Sequence, residues 1–479
     1  MRNPWPLPDG PPHAATEDEL APSPVEDRRW GWIEIFVAIQ LLWGVLLFVP
    51  GIQPFRAYVR ALPYVASLAA LAYHLVWSTG ERIPTSGQWL IAVFALLSLN
   101  LLHEETHLMA GVAQVVFQLA IAAPMFWVGR AVRTEDGVRR VLLVMFWASF
   151  ASAAVGVLQV YFPDRFLPPE FSALARQLNP AYVAALSYVG ADGRLITRPS
   201  GFSDLPGGAA ISGLTTVILG VALTVYGHPS PVRRIFYLGA AAIGMTALYL
   251  TQVRSLALMA PLAVLLFAAI RLRQGRWAEG VWVAGGSALL VVASFVWAVA
   301  LGGTSLSERF TGLLDAGFFT SFQESRGLFV EYTLEELLFE FPFGAGLGRW
   351  GMMQVYFGDP AMWQAPPIHV EIQMTGWLLD GGVPMWVCYG GALASAVWFA
   401  YRTAIDGGTE SIRYFATLIL AVQLTMIGLC FTGAVFNTQL GIQFWTLTAA
   451  LAGARYGAEA AQFDDPGLDA GDDVLPEAS

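Results

Sequence analysis

The chain has 479 residues, of which 56% are hydrophobic and 13% are charged, and its formal net charge is -10. Soluble domains carry roughly a quarter charged residues, so this composition excludes an ordinary soluble enzyme. All 26 basic residues are arginines, which suits binding of phosphate or carboxylate groups but also fits a simple compositional bias.

The acidic charge lies in the two tails. Residues 1–29 and 456–479 together account for the whole net charge of -10, so the core, residues 30–455, is neutral. The first tail is rich in proline and lacks the basic and apolar regions of a cleaved signal peptide, so we predict that it is disordered. We expect both tails to be cytoplasmic.

The core is a succession of apolar runs, most of them near the length of about 20 helical residues that crosses a bilayer. We therefore predict an all-α polytopic membrane protein. Its twelve predicted helices lie at residues 31–50, 60–78, 87–102, 108–128, 141–162, 207–226, 235–253, 255–270, 281–301, 373–400, 414–433 and 438–455.

The distribution of arginines between the loops gives the predicted orientation, since arginines cluster in short loops on the cytoplasmic side. Two outward segments are long, residues 163–206 and 302–372, and loops of this length are often functional. The second contains an amphipathic stretch, Ser307 to Phe341, which we expect to lie along the membrane surface. Cys388 and Cys430 fall within apolar runs, which predicts free, packed thiols.

His369 is the only histidine in the two long outward segments, and it directly precedes a predicted helix. A neutral imidazole at the boundary between membrane and water can accept a proton from an attacking hydroxyl, which makes His369 a candidate general base. The alternative is a loop histidine that hydrogen-bonds to the backbone.

Four arginines on the outward side are candidates for binding an anion. Arg254 is the most informative, because it interrupts a long apolar run, where a charge is costly and usually faces a polar cavity or a partner. A diphosphate suits such a site, since guanidinium groups form short charge-assisted bonds to phosphate oxygens. The alternative for each is a structural ion pair. The four are Arg198, Arg254, Arg326 and Arg349.

Two further motifs have competing interpretations. The glycine-rich Gly344-Ala-Gly-Leu-Gly348 follows no predicted strand, so we interpret it as a tight turn that carries Arg349 toward the membrane. The sequence His103-Glu-Glu-Thr-His107 fits the zinc motif H-E-x-x-H and, with Leu379-Asp380-Gly381, resembles the site-2 intramembrane proteases. Zinc binding requires both histidines on one continuous helix, whereas this motif falls in a short predicted turn.

The outward motifs, taken in chain order, resemble the O-antigen ligase and O-antigen polymerase superfamily. Members are bacterial inner-membrane glycosyltransferases with about a dozen helices and a large periplasmic loop before a late helix. The resemblance covers roughly residues 195–400 in motif and the whole core in topology. It is carried by the Arg198 loop, the Arg254 hairpin, Ser325-Arg-Gly327, Phe343-Gly-Ala-Gly-Leu-Gly348, and His369 followed by Thr375-Gly-Trp-Leu-Leu-Asp-Gly-Gly-Val383.

The resemblance implies transfer of an undecaprenyl-diphosphate-linked oligosaccharide to a glycan or lipid A-core hydroxyl. Transfer would occur at the periplasmic face of the inner membrane, without metal or other cofactor and with no nucleic-acid partner. It implies a catalytic role for His369 and diphosphate binding by Arg198 and Arg254. The family often has asparagine after the histidine, where this chain has Val370, so Glu371 is a candidate partner that orients His369. Further candidate substrate-binding residues are Arg326, Arg349, Glu371 and Asp380.

The sequence leaves several alternatives open. It does not separate a polymerase from a ligase, although the overall resemblance favours a polymerase of O-antigen or exopolysaccharide. A zinc intramembrane protease would use His103, Glu104 and His107. A transporter would need charged or broken helices along a central path, and Glu34 is the only acid that we place well inside a predicted helix.

Overall fold

The computed structural model describes residues 31–77, 83–167, 186–203, 207–315, 317–359 and 366–463. The predicted disorder of residues 1–29 lies outside the described residues, as does most of the acidic C-terminal tail. The last helix continues past residue 455, the predicted end of the core, and an ion pair between Arg455 Nε and Glu459 Oε1 at 3.0 Å lies within its extension.

About four-fifths of the described residues are helical, and the described chain has one antiparallel hairpin. The strands are β1 (Ser187–Val189) and β2 (Leu195–Thr197). The α-helices are α1 (Trp32–Leu42), α2 (Arg56–Trp77), α3 (Thr85–Asn100), α4 (Leu108–Ala122), α5 (Pro124–Ala131), α6 (Glu135–Tyr161), α7 (Pro163–Phe166), α8 (Ala209–Leu223), α9 (Pro231–Thr251), α10 (Arg254–Arg273), α11 (Trp277–Gly302), α12 (Thr304–Asp315), α13 (Phe318–Phe322), α14 (Leu328–Tyr332), α15 (Leu338–Glu340), α16 (Gly351–Phe357), α17 (Gln373–Asp406), α18 (Glu410–Leu429) and α19 (Gln439–Phe463). Single 3-10 turns cover Trp43–Phe48, Gln53–Phe55 and Val435–Asn437.

Each predicted membrane segment contains a helix, because backbone polar groups in a bilayer must be hydrogen-bonded within their own segment. Among the described residues, eight helical segments are long and apolar enough to cross a membrane, and three apolar ones are shorter, at residues 32–48, 85–100 and 209–223. This is the architecture of an all-α membrane protein, whereas the number of twelve crossings stays a prediction.

Helix α10 defines the two ends of the bundle, which we call the Arg254 end and the Arg271 end. They are about 25 Å apart along the helix axis, given a rise of about 1.5 Å per residue. The hairpin meets the C-terminus of α11 at the Arg254 end, where the Ala191 amide donates to the Leu301 carbonyl at 3.2 Å. Ser305 at the start of α12 donates its hydroxyl to the Val189 carbonyl at 2.6 Å. The two long segments predicted to be outward therefore meet at one end of the bundle.

Helix α17 is interrupted at Gly381 and Gly382, although its sequence predicts one continuous span. Gly382 has φ of 66°, and a Cβ there would lie 2.1 Å from the Pro342 carbonyl oxygen, so only glycine fits. The Val383 amide donates a hydrogen bond to that same carbonyl at 2.9 Å, which holds residues 342–348 against the break. Asp380 is fully buried beside the break, so the expectation that Glu34 is the only acid well inside a helix is wrong.

The predicted amphipathic stretch forms α12 and a second helical stretch, in which π-helical turns at Gln323–Gly327 and Thr333–Leu337 separate α13, α14 and α15. Its buried side includes Thr333, whose hydroxyl lies 2.5 Å from that of Thr375 in α17. Its exposed side includes Phe319 and Phe339, which are 84% and 77% exposed. Contact of this apolar side with a membrane surface stays a prediction. Cys388 and Cys430 are free thiols, as predicted.

Candidate functional site

Three arginines lie close together at the Arg254 end, and we call them the arginine cluster: Arg198 after β2, Arg254 at the start of α10, and Arg309 in α12. Each is half-buried. Burial, followed by the positive charges of Arg198 and Arg254, lowers the pKa of Arg309 to about 10. Burial also lowers the pKa of Arg198. No acid in the described part of the chain forms an ion pair with any of the three, so their mutual repulsion is uncompensated.

Buried hydrogen-bond donors around the arginine cluster lack protein partners. They are Nε of Arg198, Nε of Arg254, the side-chain amide nitrogen of Gln252 and the hydroxyl of Tyr188. Buried polar groups in folded proteins are nearly always hydrogen-bonded, so donors left unsatisfied around concentrated positive charge point to an anionic ligand. The N-terminus of α10 adds the positive end of its helix dipole at Arg254.

The position of Arg198 is fixed by a buried glutamine of α6. The side-chain oxygen of Gln159 accepts hydrogen bonds from the amides of Ser200 at 2.8 Å and Gly201 at 3.0 Å. Its side-chain amide donates in return to the Gly201 carbonyl at 3.0 Å. This network holds the backbone that follows Arg198. This hydrogen-bond network cannot be predicted from the sequence, because one glutamine in an apolar run forms no motif.

Arg309 reaches the cluster because α12 carries it there, and no motif in the sequence identifies it. Docking of the hairpin onto α11 and α12 brings together segments that are far apart in the chain. The Arg309 Nε also donates to the Gln252 carbonyl at 3.3 Å. Gln252 has φ of 55°, a left-handed conformation that is uncommon outside glycine and that forms the tight turn between α9 and α10.

We expect Arg309→Gln to raise the stability of the unliganded protein. The lowered pKa means that the charged form is disfavoured in the folded state, and this penalty is fully present below pH 10 and disappears as the pH rises toward the unfolded value. After allowance for solvent screening the gain at pH 7 is about 1 kcal/mol, or roughly 1–2 °C in Tm. Thermal unfolding measures it. The control is Arg194→Gln in the hairpin, which removes an exposed ion pair with Asp192 and should give no gain.

A second group of candidate residues lies before and beside α17. Glu371 Oε1 lies 3.0 Å from Nε2 of His369, and the same carboxylate forms an ion pair with Arg326. The His369 side chain is 72% exposed, so a second molecule can reach its ring. Its ring centre lies 5.9 Å from that of Phe329. Between described side chains, no hydrogen bond or ion pair joins this group to the arginine cluster.

Arg349 is buried and is held by protein groups. It forms an ion pair with Glu105 and donates from Nη1 to the Ala345 carbonyl at 2.8 Å. Its Nη2 donates to the Pro366 carbonyl at 3.1 Å. These contacts correspond to the structural ion pair that was the alternative interpretation of this residue. A role for Arg349 in positioning the loop follows from its geometry, whereas substrate binding by it stays a prediction.

Asp380 also faces protein groups. Its Oδ1 accepts from Gln114 Nε2 at 2.5 Å and from Trp350 Nε1 at 2.6 Å, whereas its Oδ2 has no partner. The Asn100 side chain donates to the Asp380 backbone carbonyl at 2.6 Å. Asp380 therefore ties α3, α4 and the loop before α16 to the break in α17. No hydrogen bond or ion pair among the described residues joins Asp380 to another candidate site residue.

The glycine-rich loop is a tight turn, as predicted. Gly344, Gly346 and Gly348 all have positive φ, at 103°, 86° and 74°. A Cβ on Gly348 would lie 2.6 Å from the Cβ of Ala110 in α4, so the loop approaches that helix more closely than other residues allow. The turn directs Arg349 into the protein.

The zinc motif does not have the geometry that metal binding needs. Residues 101–107 form a turn between α3 and α4, and the Glu105 amide donates to Nδ1 of His103 at 3.2 Å. His107 caps the start of α4, so the two histidines do not share a helix. Within the described ranges, no three His, Cys, Asp or Glu side chains form a group suited to a metal ion.

No protein-family model and no curated protein sequence matches the chain.

Proposed function

We propose that the chain transfers a glycan from an undecaprenyl-diphosphate-linked donor to an acceptor hydroxyl at the periplasmic face of the bacterial inner membrane. The observation that carries the proposal is the arginine cluster with its unpaired buried donors at one end of the helix bundle. Arginine forks match phosphate oxygens in pairs, and a diphosphate has enough oxygens for Arg198, Arg254 and Arg309 together.

The same arrangement suits the chemistry of the donor. When the glycosidic bond to the diphosphate breaks, negative charge grows on the leaving oxygen. Fixed positive charges in a half-buried site stabilise that charge without reorganisation, so the arginine cluster lowers the barrier as well as binding the donor. Arg198 and Arg254 hold the diphosphate as the resemblance implies, and Arg309 is the third ligand.

His369 is the proposed general base. A carboxylate only accepts hydrogen bonds, so Glu371 selects the tautomer in which Nε2 carries the proton and Nδ1 is basic. Nδ1 takes the proton from the acceptor hydroxyl as its oxygen attacks the anomeric carbon and the diphosphate departs. Arg326 holds Glu371 in place through their ion pair. A single displacement of this kind inverts the anomeric centre.

The test is to incubate the purified full-length protein with an undecaprenyl-diphosphate oligosaccharide and to separate the products on a gel. A ladder identifies a polymerase, which the overall resemblance favours. A single shift that requires lipid A-core or protein identifies a ligase. We expect a metal chelator to leave the rate unchanged, whereas it would abolish activity of the zinc protease alternative. Absence of any glycan product under either acceptor condition contradicts the proposal.

A second function, transport, is favoured by one observation. Helix α17 is broken beside the buried Asp380, and broken helices with intramembrane charge are typical of transporter substrate sites. Against this, Pro342 and Phe343 pack into the break, and Oδ1 of Asp380 is already hydrogen-bonded. Flux of a lipid-linked or free glycan across proteoliposomes without a covalent product would favour transport over transfer.

A further inference from the structure

A cavity of about 480 Å³ opens at the Arg271 end of the bundle, on the opposite side from the arginine cluster. It lies among α6, α8, α9, α10, α11 and α18, and the loop 224–230 contributes to its wall. The distance along α10 places it about 25 Å from Arg254, so it belongs to a different site from the one proposed for glycan transfer. Its charged lining consists of Arg139, Arg233, Arg271, Arg276, Glu279 and Glu410.

Two of these arginines are neutralised by the two acids. Arg271 is nearly fully buried, and its Nη2 lies 2.6 Å from Glu279 Oε2. Arg276 forms an ion pair with Glu410, which also lies 3.5 Å from Arg271. These contacts neutralise both acids that line the cavity.

The positive charges of the other two arginines are not neutralised by the acids that line the cavity. The nearest acid to Arg139 is Asp136, at 3.7 Å and with a side chain that is 71% exposed, so water screens this contact strongly. Arg233 is exposed and forms no ion pair with an acid in the described residues. The lining of the cavity therefore has an excess of about two positive charges.

Aromatic rings and a constrained loop hold the cavity in shape. The Arg139 guanidinium lies 5.9 Å from the ring centre of Tyr226, and that of Arg271 lies 5.1 Å from the ring centre of Tyr414. His228 in the wall has φ of 48°. This left-handed conformation is uncommon for a residue other than glycine, and strained positions of this kind cluster at ligand sites. In the described residues the other example is Gln252, beside the arginine cluster.

We propose that this cavity binds a phosphate group through Arg139 and Arg233. Its volume falls within the range of small-molecule sites, which is roughly 300–1,000 Å³, and exceeds what one phosphate fills. The excess positive charge requires an anion, and guanidinium groups favour phosphate oxygens. Basic pockets between membrane helices bind phospholipid headgroups in the same way, so the phosphate can belong to a lipid headgroup or be free in solution.

Binding of defined ligands to the purified full-length protein in neutral detergent tests this proposal. The probes are short-chain phosphatidylglycerol, phosphatidylcholine with the same chains, and inorganic phosphate, with Kd measured by native mass spectrometry or thermal shift. Arg139→Gln and Arg233→Gln should each weaken binding about fivefold, and the double variant about 25-fold, as expected for roughly one unit charge each near a membrane surface. Arg402→Gln is the matched control, because Arg402 pairs with Asp406 outside the cavity and should leave Kd unchanged.

The probes separate the two sources of phosphate. Binding of phosphatidylglycerol alone identifies a lipid headgroup, and binding of inorganic phosphate with the same dependence on Arg233 identifies a soluble ligand. The variants Arg139→Lys and Arg233→Lys keep the charge, and their Kd should lie within about twofold of the parental value. Such a result would show that weaker binding by the Gln variants comes from the lost charge and not from misfolding. The proposal is overturned if no probe binds, if phosphatidylcholine binds as well as phosphatidylglycerol, or if the double Gln variant binds like the parent.

Discussion

Arg254→Gln should lower the rate of glycan transfer by about 10²–10³-fold, which is the usual loss when one donor to a developing negative charge is removed. Arg254 begins α10, and its buried Nε has no hydrogen-bond partner among the described residues, so its loss leaves only Arg198 and Arg309 for the proposed diphosphate. The measurement is the initial rate of product formation from the lipid-linked donor, with membrane insertion checked in parallel.

The lysine variant at the same position tests whether positive charge alone is enough. Arg254→Lys should recover only part of the lost rate, because an ammonium supplies charge without the paired donors of a guanidinium. Arg194→Gln, in the exposed tip of the hairpin at the same end of the bundle, should keep the parental rate and so controls for a general loss of surface charge. Parental rates in correctly inserted Arg254→Gln protein would remove this residue from the proposed site.

His369→Ala should lower transfer by about 10²–10⁴-fold, the range that a general base contributes. The loss should persist at saturating donor, because the base acts on the acceptor hydroxyl and not on donor binding. Added imidazole should restore part of the rate, since the exposed side chain leaves room for a small base at its position. The readout is the rate of ladder or shift formation at several donor concentrations.

Two variants distinguish proton transfer by His369 from orientation of its ring and from zinc binding at the other histidines. Glu371→Gln should give a smaller loss that imidazole does not restore, because Glu371 orients the ring and does not take the proton itself. His103→Ala should keep most of the transfer activity, whereas the zinc protease alternative requires His103. If His369→Ala elongates glycan as fast as the parent, the base assignment is wrong.

The sequence predicted where the apolar helices lie, because a long apolar run has few structures available to it in a bilayer, whereas membrane crossing by all twelve stays a prediction. Arg254 also marked the boundary between α9 and α10 correctly, since a charge in that run has to reach a helix end. The break in α17 was not predicted. Paired glycines within an apolar run are also common in unbroken membrane helices, and the Pro342 carbonyl that excludes a side chain there comes from a distant loop.

The arginine cluster could be predicted only in part. Arg198 and Arg254 stand out in the sequence, whereas Arg309 lies in an amphipathic stretch whose other charged residues give no reason to single it out. Its membership depends on the packing of two loops against each other. The partners of Arg349 arise in the same way, since Glu105 belongs to a turn that the sequence associates with a different motif.

Docking of the hairpin onto α12 sets the order in which the protein can mature during synthesis. Val189 and Ser305, which join the two segments, are 116 residues apart. At elongation rates of about 5–20 residues per second, the ribosome reaches Ser305 roughly 6–23 seconds after Val189. Helices α8 to α11 enter the membrane during this delay. The arginine cluster, and with it the proposed diphosphate site, therefore cannot form until most of the bundle has been synthesised.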